Sequence, residues 1–270
     1  MISDISSEEV VSWVSLNPRR AVSFRVDTTT LSYKVFRCES HEPADRLISL
    51  LDSLAASNGR PVPQPLARVQ DWIVMPWVKG VSVASLDKGV TSQYLLELLI
   101  GIHSVQPPHS LAWRSHVSPY LLRLEARVSR AASGPFGMLF RRALPFISQG
   151  MAQLPSEESI LHSDVTPHNV VMTAAGQCCL IDNEAVSLGS GRAVDAWICA
   201  SSLYSWEGVA EVPALIRAYD QRLPGSAVLE RKGFFMGVLL IKKALKARSR
   251  YQYIKQNRLC RAALQWFAGG

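Results

Sequence analysis

The chain has 270 residues, of which 48% are hydrophobic and 19% are charged. These fractions exclude disordered and fibrous proteins, and the length admits one large domain or two packed lobes. The longest apolar run, residues 234–241, is too short for a membrane-spanning helix of about 20 residues, so we expect no transmembrane segment. Residues 1–10 carry acidic side chains where a secretory signal carries basic ones. We therefore expect a cytoplasmic protein.

The net charge is +7, from 29 basic and 22 acidic side chains. The basic residues concentrate in residues 114–142 and 242–261, where they alternate with apolar residues at helical spacing. This spacing is typical of solvated helix faces, and no nucleic-acid-binding motif accompanies it. A nucleic-acid partner is therefore disfavoured, whereas peripheral contact with a membrane and the oligomeric state are left open.

The five cysteines argue for reduced thiols. Their number is odd, and no two of them have the Cys-x-x-Cys spacing of zinc sites and redox motifs. Cys178 and Cys179 lie in an apolar run, which predicts that they are small apolar residues of a strand. We expect neither a disulfide framework nor a zinc site.

Local patterns predict a β-rich first third followed by helices. Residues 21–27 and 31–38 alternate apolar and polar side chains around a Thr-rich turn, which predicts a β-hairpin. Residues 43–57 carry leucines at helical spacing behind a proline, which predicts a helix, and residues 71–78 predict a strand. Further helices are expected at residues 94–103, 118–133, 136–149 and from 194 to the end, with a strand–loop–strand block at 160–182.

This order of elements predicts an α+β fold with two lobes. The N-terminal lobe, residues 1–78, is expected to contain a small antiparallel sheet and to bind the nucleotide. The C-terminal lobe, residues 79–270, is expected to be larger, mostly helical and responsible for catalysis and substrate binding. A cleft between them is the expected site.

One segment combines the residue types of a phosphoryl-transfer site. An apolar strand end precedes His162 and Asp164, Asn169 follows five residues after Asp164, and a second strand ends at Asp182. A loop can present Asp164 to a substrate hydroxyl and Asn169 to a metal ion, which Asp182 contacts from the neighbouring strand. Mg²⁺ prefers such oxygen ligands and takes the rest of its shell from water and phosphates. The spacing is that of the kinase template.

These motifs resemble those of the aminoglycoside phosphotransferase and choline kinase superfamily, to which thiamine and lipopolysaccharide-sugar kinases are also similar. HSDVTPHNVV (162–171), LIDNEAV (180–186) and VDAW (194–197) resemble the family's HGDxxxxNVL, IDFE and DLA motifs. Residues 95–108 and 71–80 resemble its helix before the core insertion and its hinge strand. The resemblance implies a protein-kinase-like fold, bound ATP or GTP with Mg²⁺, and phosphorylation of a small-molecule hydroxyl.

The resemblance also implies roles for the residues of the central block. Asp164 is expected to be the catalytic base, and Asn169 and Asp182 are expected to hold Mg²⁺. His162 and Asp195 are expected to support the catalytic loop without touching substrate.

Four residues are expected to bind the nucleotide. The resemblance implies that Lys34 contacts the α- and β-phosphates and that backbone groups of Met75, Trp77 and Val78 meet the adenine. Two departures from the family bear on this site. The loop at residues 16–20 lacks the glycines that let backbone amides approach phosphates, and the helix at 43–57 lacks the usual Glu partner of the strand lysine. Whether that loop contacts phosphates, and whether Asp45 or Glu42 pairs with Lys34, is left open.

Several functions remain open at this point. The favoured one is a small-molecule kinase whose acceptor resembles an aminoglycoside, an amino-alcohol, thiamine or a sugar. The alternative is a nucleotide-binding pseudokinase or scaffold, which the two departures favour and the intact Asp164, Asn169 and Asp182 oppose. Binding to RNA or a membrane surface rests on charge alone. Protein kinase activity is disfavoured because the stretch between Asp182 and Asp195 is too short for a peptide-docking segment.

Overall fold

The protein's structure is a computed structural model that forms two compact units. It describes residues 5–16, 23–38, 44–59, 61–108, 111, 119–134, 136–154, 158–189, 191–203, 212–223 and 228–269. The first unit is Met1–Trp113 with Glu158–Leu188, and the second is Arg114–Glu157 with Gly189–Gly270. The predicted lobe boundary after residue 78 falls inside the first unit and stays a prediction.

The first unit contains a four-stranded antiparallel sheet with strand order β1-β2-β4-β3. Its strands are β1 (Ser23–Asp27), β2 (Ser32–Arg37), β3 (Ala67–Val69) and β4 (Trp72–Pro76). The hairpin predicted from the alternating pattern is confirmed as β1 and β2, and β4 confirms the predicted third strand. In the register of β2 and β4, Lys34 stands opposite Met75.

Alternation along β2 separates its core residues from Lys34. Tyr33 and Val35 point to one face, where they form a buried cluster with Val74 and with Val10 of α1 (Ser7–Leu16). Lys34, between them in the chain, points to the other face. The sequence patterns did not predict α1, although Ser6 and Glu9 form a reciprocal capping box at its start, with Ser6 N–H to Glu9 Oε2 2.9 Å.

The described part of the first unit also contains two further α-helices and five short strands. The helix α2 (Ala44–Ala56) buries four leucines, at 47, 50, 51 and 54, which confirms the predicted helical spacing. The others are α3 (Lys88–His103), β5 (Val81–Ser82), β6 (Ser159–Leu161), β7 (Val170–Met172), β8 (Cys178–Leu180) and β9 (Ser187–Gly189). Strands β5, β7 and β8 form one small sheet, and β6 pairs with β9.

The second unit is helical in its described part. Its helices are α4 (Pro119–Ser133), α5 (Met138–Ala152), α6 (Arg192–Leu203), α7 (Val212–Arg222), α8 (Lys232–Ser249) and α9 (Tyr253–Ala268). Trp197 of α6 stacks on Phe235 of α8 with 5.7 Å between ring centroids, and both are buried. Strands and helices together confirm the α+β class. None of the helices, as far as their residues are described, has the length and apolar character needed to cross a bilayer.

All five cysteines lie among the described residues, and each is a free thiol. Cys178 and Cys179 lie on β8, as predicted for small apolar strand residues. Burial raises the pKa of the Cys179 thiol to about 12, which keeps it protonated and weakly nucleophilic at neutral pH.

Gly80, just before β5, offers a test of the packing that joins the hinge strand to the β5–β7 pair. A Cβ atom there would lie 2.2 Å from the Met172 carbonyl oxygen. We expect Gly80→Ala to lower the free energy of unfolding by about 1–3 kcal/mol, because the backbone of β7 must shift.

Gly101→Ala in α3 is the matched control, since nothing lies within 4 Å of its Cβ position. Alanine should stabilise that helix by up to about 1 kcal/mol. Equal urea midpoints for the two variants would contradict this packing.

Candidate active site

The side chain of Lys34 lies among three oxygen acceptors of the segment that follows β8. Its Nζ donates to the Ile181 carbonyl oxygen at 3.1 Å and contacts a Glu184 carboxylate oxygen at 2.8 Å. It also donates to the carboxylate of Asp182. The Lys34 side chain is 13% exposed, so these contacts are sheltered from solvent. The structure therefore brings together two predicted site residues, Lys34 and Asp182, that are far apart in the sequence.

The acidic partner of Lys34 was not among the predicted candidates. Asp45 of α2 forms an ion pair with Arg68 instead, and Glu42 lies outside the described residues. Glu184 takes the position beside the ammonium, two residues after Asp182. Glu184 could have been considered from the sequence, because it belongs to the same LIDNEAV motif from which Asp182 was predicted as a metal ligand.

Asp182 and Glu184 both contact the ammonium group of Lys34, and their pKa values are shifted in opposite directions. Burial raises the pKa of Asp182, but its bond to Lys34 outweighs this, and the net pKa is lowered from 3.8. Burial raises the pKa of Glu184 above 4.5, and the Asp182 carboxylate adds to this rise against the pull of Lys34. Asp182, at 53% exposed, therefore carries the charge more readily than Glu184, which is 22% exposed.

The Ile181 backbone links Lys34 to the loop that carries Asp164. The Ile181 N–H donates to the Asn169 carbonyl at 3.0 Å, while its own carbonyl accepts from Lys34. The Asn169 side-chain amide donates to Asp164 Oδ2 at 2.8 Å and to the Asp164 carbonyl at 3.1 Å. Both acceptors require the amide nitrogen to face Asp164, so the amide oxygen Oδ1 of Asn169 is left for another ligand.

His162 is the first residue after β6, at the start of the loop that carries Asp164. It is fully buried, and its Nε2 lies 3.2 Å from Asn183 Oδ1, while the Asn183 amide donates to the Leu180 carbonyl at 3.2 Å. These bonds join the start of the loop to the end of β8. Ser163, which stands where the resembled family has Gly, adopts φ of +64°, in the left-handed region that favours glycine.

A pocket of about 300 Å³ lies against Lys34 in the first unit. All four residues predicted to bind the nucleotide line it, together with eight others. The twelve are Ser23, Phe24, Arg25, Lys34, Pro63, Met75, Pro76, Trp77, Val78, Ile181, Asp182 and Asn183. The pocket thus has apolar walls from β1 and β4 and a charged end at Lys34 and Asp182.

The backbone at the end of β4 directs its hydrogen-bonding groups to two sides. The Trp77 N–H donates to the Ser32 carbonyl at 2.9 Å, so it belongs to the sheet. Alternation along an extended chain turns the carbonyl of Pro76 the other way. Pro76 has no N–H and can only accept. The guanidinium of Arg25 lies 4.6 Å from the centre of the Trp77 ring, which fixes the indole at the edge of the pocket.

The donor set fits a magnesium ion bound together with a nucleotide. Asn169 Oδ1 and the half-exposed Asp182 carboxylate are hard oxygen ligands, and Mg²⁺ commonly takes only one or two protein ligands beside phosphates and water. Within the described ranges, no group of three or more His, Cys, Asp or Glu residues could hold a metal by itself. Asn169 and Asp182 are thus the residues that would hold Mg²⁺ here.

Asp195 is buried in the first turn of α6, with 1% of its surface exposed. It belongs to the second unit, so its predicted support of the catalytic loop stays a prediction. Of the loop at residues 16–20, whose contact with phosphates was left open, all but Leu16 lies outside the described residues.

Glu184→Gln tests the two opposed pKa shifts. Because the pKa of Glu184 is raised on folding, its contribution to stability falls as the pH rises from 4.5 through the folded pKa. The variant lacks this titration, so its free energy of unfolding relative to wild type should increase with pH above 4.5. Asp182→Asn has the opposite sign, because the lowered pKa of Asp182 gives stability that is present above 3.8 and lost below it.

Urea unfolding of the wild type and both variants between about pH 3 and pH 7 measures these differences. Curves that run parallel for all three proteins would contradict the assigned shifts.

Comparison with known proteins identifies the family and the fold of the chain. The profile of the phosphotransferase enzyme family, APH, matches residues 19–230. No curated protein sequence matches the chain. Choline kinase LicA from Streptococcus pneumoniae has a similar structure, with 14% identity, coverage of 97% of this chain and 99% of LicA, and a TM-score of 0.60.

A thermostable mutant of the aminoglycoside phosphotransferase APH(4)-Ia is also similar, with 15% identity, 92% coverage of each chain and a TM-score of 0.61. These likenesses confirm the predicted protein-kinase-like fold. The match over most of the length confirms the expected enzyme class: the chain belongs to the phosphotransferase enzyme family.

Proposed function

We propose that this protein transfers the γ-phosphate of ATP, or of GTP, to a hydroxyl group of a small molecule. The observation that carries the proposal is the connected set of Lys34, Ile181, Asn169 and Asp164, which joins the charged end of the pocket to a carboxylate. A phosphotransferase needs a cation for the phosphates, oxygen ligands for the metal and a base for the acceptor. Each is present within this set and the adjoining Asp182.

The pocket beside Lys34 is the proposed nucleotide site. Relatives of the same fold have been determined with nucleotides: LicA with AMP, and APH(4)-Ia with ADP or AMP-PNP together with hygromycin B. In this chain, the Pro76 carbonyl and the Val78 N–H would meet the edge of the base. Met75 and Phe24 would cover its faces, and Lys34 would contact the phosphates.

Glu184 adds a positioning role that the sequence patterns did not assign. With nucleotide bound, Asp182 is needed at the metal, and Glu184 would remain beside the ammonium of Lys34. Glu184 would thus do what a helix glutamate does in related kinases, but from the segment that also supplies Asp182. The metal, when bound, neutralises charge on the phosphates.

Asp164 is the proposed base. Its Oδ2 is held by the Asn169 amide, and its Oδ1 has no partner among the described residues. The acceptor hydroxyl would lose its proton to Asp164 as its oxygen bonds to the γ-phosphorus. The bond to the bridging oxygen breaks, and the nucleoside diphosphate leaves with that oxygen. His162 and Asp195 are proposed to hold the loop in place.

The acceptor class is the open part of the proposal. APH(4)-Ia forms a ternary complex with ADP and hygromycin B, so an aminoglycoside-like molecule is one candidate acceptor here. The other candidate acceptors are an amino-alcohol, thiamine and a sugar. ATP consumption measured across a library of these four classes tests the proposal. Nucleotide binding without transfer to any acceptor would instead favour a pseudokinase or scaffold. The cytoplasmic location stays a prediction.

Asp164→Asn separates catalysis from binding. The variant keeps the size of the side chain and its contact with Asn169, but it loses the base. We expect the turnover rate to fall by about 10²–10⁴-fold while nucleotide binding is kept. Asp195→Ala is the contrasting variant, because it removes a buried carboxylate and should lower the melting temperature as well as turnover.

Turnover with the discovered acceptor, nucleotide affinity and melting temperature are measured on both variants. An Asp164→Asn enzyme as fast as wild type would show that another group takes the proton.

A further inference from the structure

The net positive charge of the protein comes from residues 231–270, which contain its last two helices. Ten of the 29 basic and none of the 22 acidic side chains lie in residues 231–270. The other 230 residues therefore carry 19 basic and 22 acidic side chains, a net charge of −3. Nothing in the proposed phosphotransfer chemistry uses this charge, which calls for an explanation of its own.

The end of the α8–α9 hairpin concentrates this charge around a groove of about 1050 Å³. Five basic residues line the groove: Lys243, Lys246, Arg250, Lys255 and Arg258. Within the described ranges, Lys246, Arg250, Lys255 and Arg258 form no ion pair. The side chain of Gln252, at the N-cap of α9, makes no capping hydrogen bond, so amides of the first helical turn add further donors for an anion.

Two apolar side chains project at the same place. Ile254 is 90% exposed and Tyr251 is 80% exposed. Tyr251 adopts φ of +57° in a Schellman motif, where its N–H donates to the Arg248 carbonyl and the Gln252 N–H donates to the Ala247 carbonyl, both at 2.9 Å. Glycine is favoured at this position of the motif. A tyrosine is thus held in an unfavourable conformation with its ring in solvent, beside an equally exposed isoleucine.

We propose that this tip, formed by Tyr251, Ile254 and the surrounding Lys246, Arg250 and Lys255, docks the protein on membranes that contain anionic phospholipids. The basic side chains contact lipid phosphates, and the two apolar side chains enter the headgroup region. An interfacial position suits Tyr in particular, because its ring is apolar and its hydroxyl is polar. The groove has five basic residues, and clusters of about four to eight basic residues bind anionic lipid surfaces.

The isoleucine favours a membrane over a nucleic acid. A phosphate backbone rewards basic side chains, and bases reward aromatic rings by stacking. An aliphatic side chain gains from neither, but it gains from transfer into the acyl boundary of a bilayer. Ile254 is therefore the residue whose substitution distinguishes the two partners.

Sedimentation of the full chain with lipid vesicles tests the proposal. The protein should bind vesicles containing about one quarter phosphatidylglycerol and leave pure phosphatidylcholine vesicles unbound at about 0.1 M salt. Replacing Lys246, Arg250 and Lys255 by Gln together should weaken binding about 10²-fold, and Ile254→Ser alone about tenfold.

The matched control removes the same charge from exposed positions of α4 and α5, with Arg130, Arg141 and Arg142 replaced by Gln. It should bind anionic vesicles like wild type. All variants should keep the wild-type melting temperature, because each altered side chain is exposed. No binding to anionic vesicles, an equal loss in the control, or an Ile254→Ser protein that binds unchanged would overturn the proposal. So would tight binding to an RNA oligonucleotide in the absence of vesicle binding.

Discussion

The ammonium of Lys34 and the three oxygens around it organise the first unit's site. A cation held at 13% exposure needs acceptors, and the segment after β8 supplies them from Ile181, Asp182 and Glu184. Ile181 accepts from Lys34 and donates to Asn169, whose amide in turn holds Asp164. One lysine on an antiparallel strand is thereby connected through at most three hydrogen bonds to every residue proposed for metal binding and proton transfer. A substitution of Glu184 should therefore alter the position of the Asp164 carboxylate.

The sequence predicted the strand that carries Lys34 and the block that carries Asp164, Asn169 and Asp182. It also led to the four nucleotide-binding candidates, which line the pocket together with eight other residues. The strands and the central block followed from alternation, apolar strand ends and motif order, which are local or nearly local properties, whereas the nucleotide-binding candidates were implied by the family resemblance. The partner of Lys34 could not be predicted in the same way, because an ion pair between β2 and the segment after β8 depends on tertiary approach. Helix α1 was missed although its capping box is legible in the sequence. Its apolar pattern is short, because three of its residues, Val10, Trp13 and Val14, pack in the core of the sheet.

The two helices that close the chain show how composition averaged over a whole protein can mislead. A net charge of +7 suggests a uniformly basic molecule, whereas residues 1–230 are slightly acidic and residues 231–270 carry all of the excess. Helix α8 is buried on all sides over residues 235–241, and exposed basic side chains alternate with buried apolar ones only from residue 242 on, as predicted for that stretch. The exposure of Tyr251 and Ile254 at the turn isn't explained by packing, and the sequence alone could not distinguish these two from core residues.

The central claim is that Asn169 and Asp182 bind a metal together with the nucleotide in the pocket beside Lys34. Calorimetric titration with AMP-PNP, with and without Mg²⁺, measures this directly. The account predicts that Mg²⁺ raises the affinity of the wild type by at least about tenfold, corresponding to about 1.4 kcal/mol, and that this gain is lost in Asp182→Asn and reduced in Asn169→Ala. An affinity that is the same with and without Mg²⁺, or no binding of AMP-PNP at all, would contradict it.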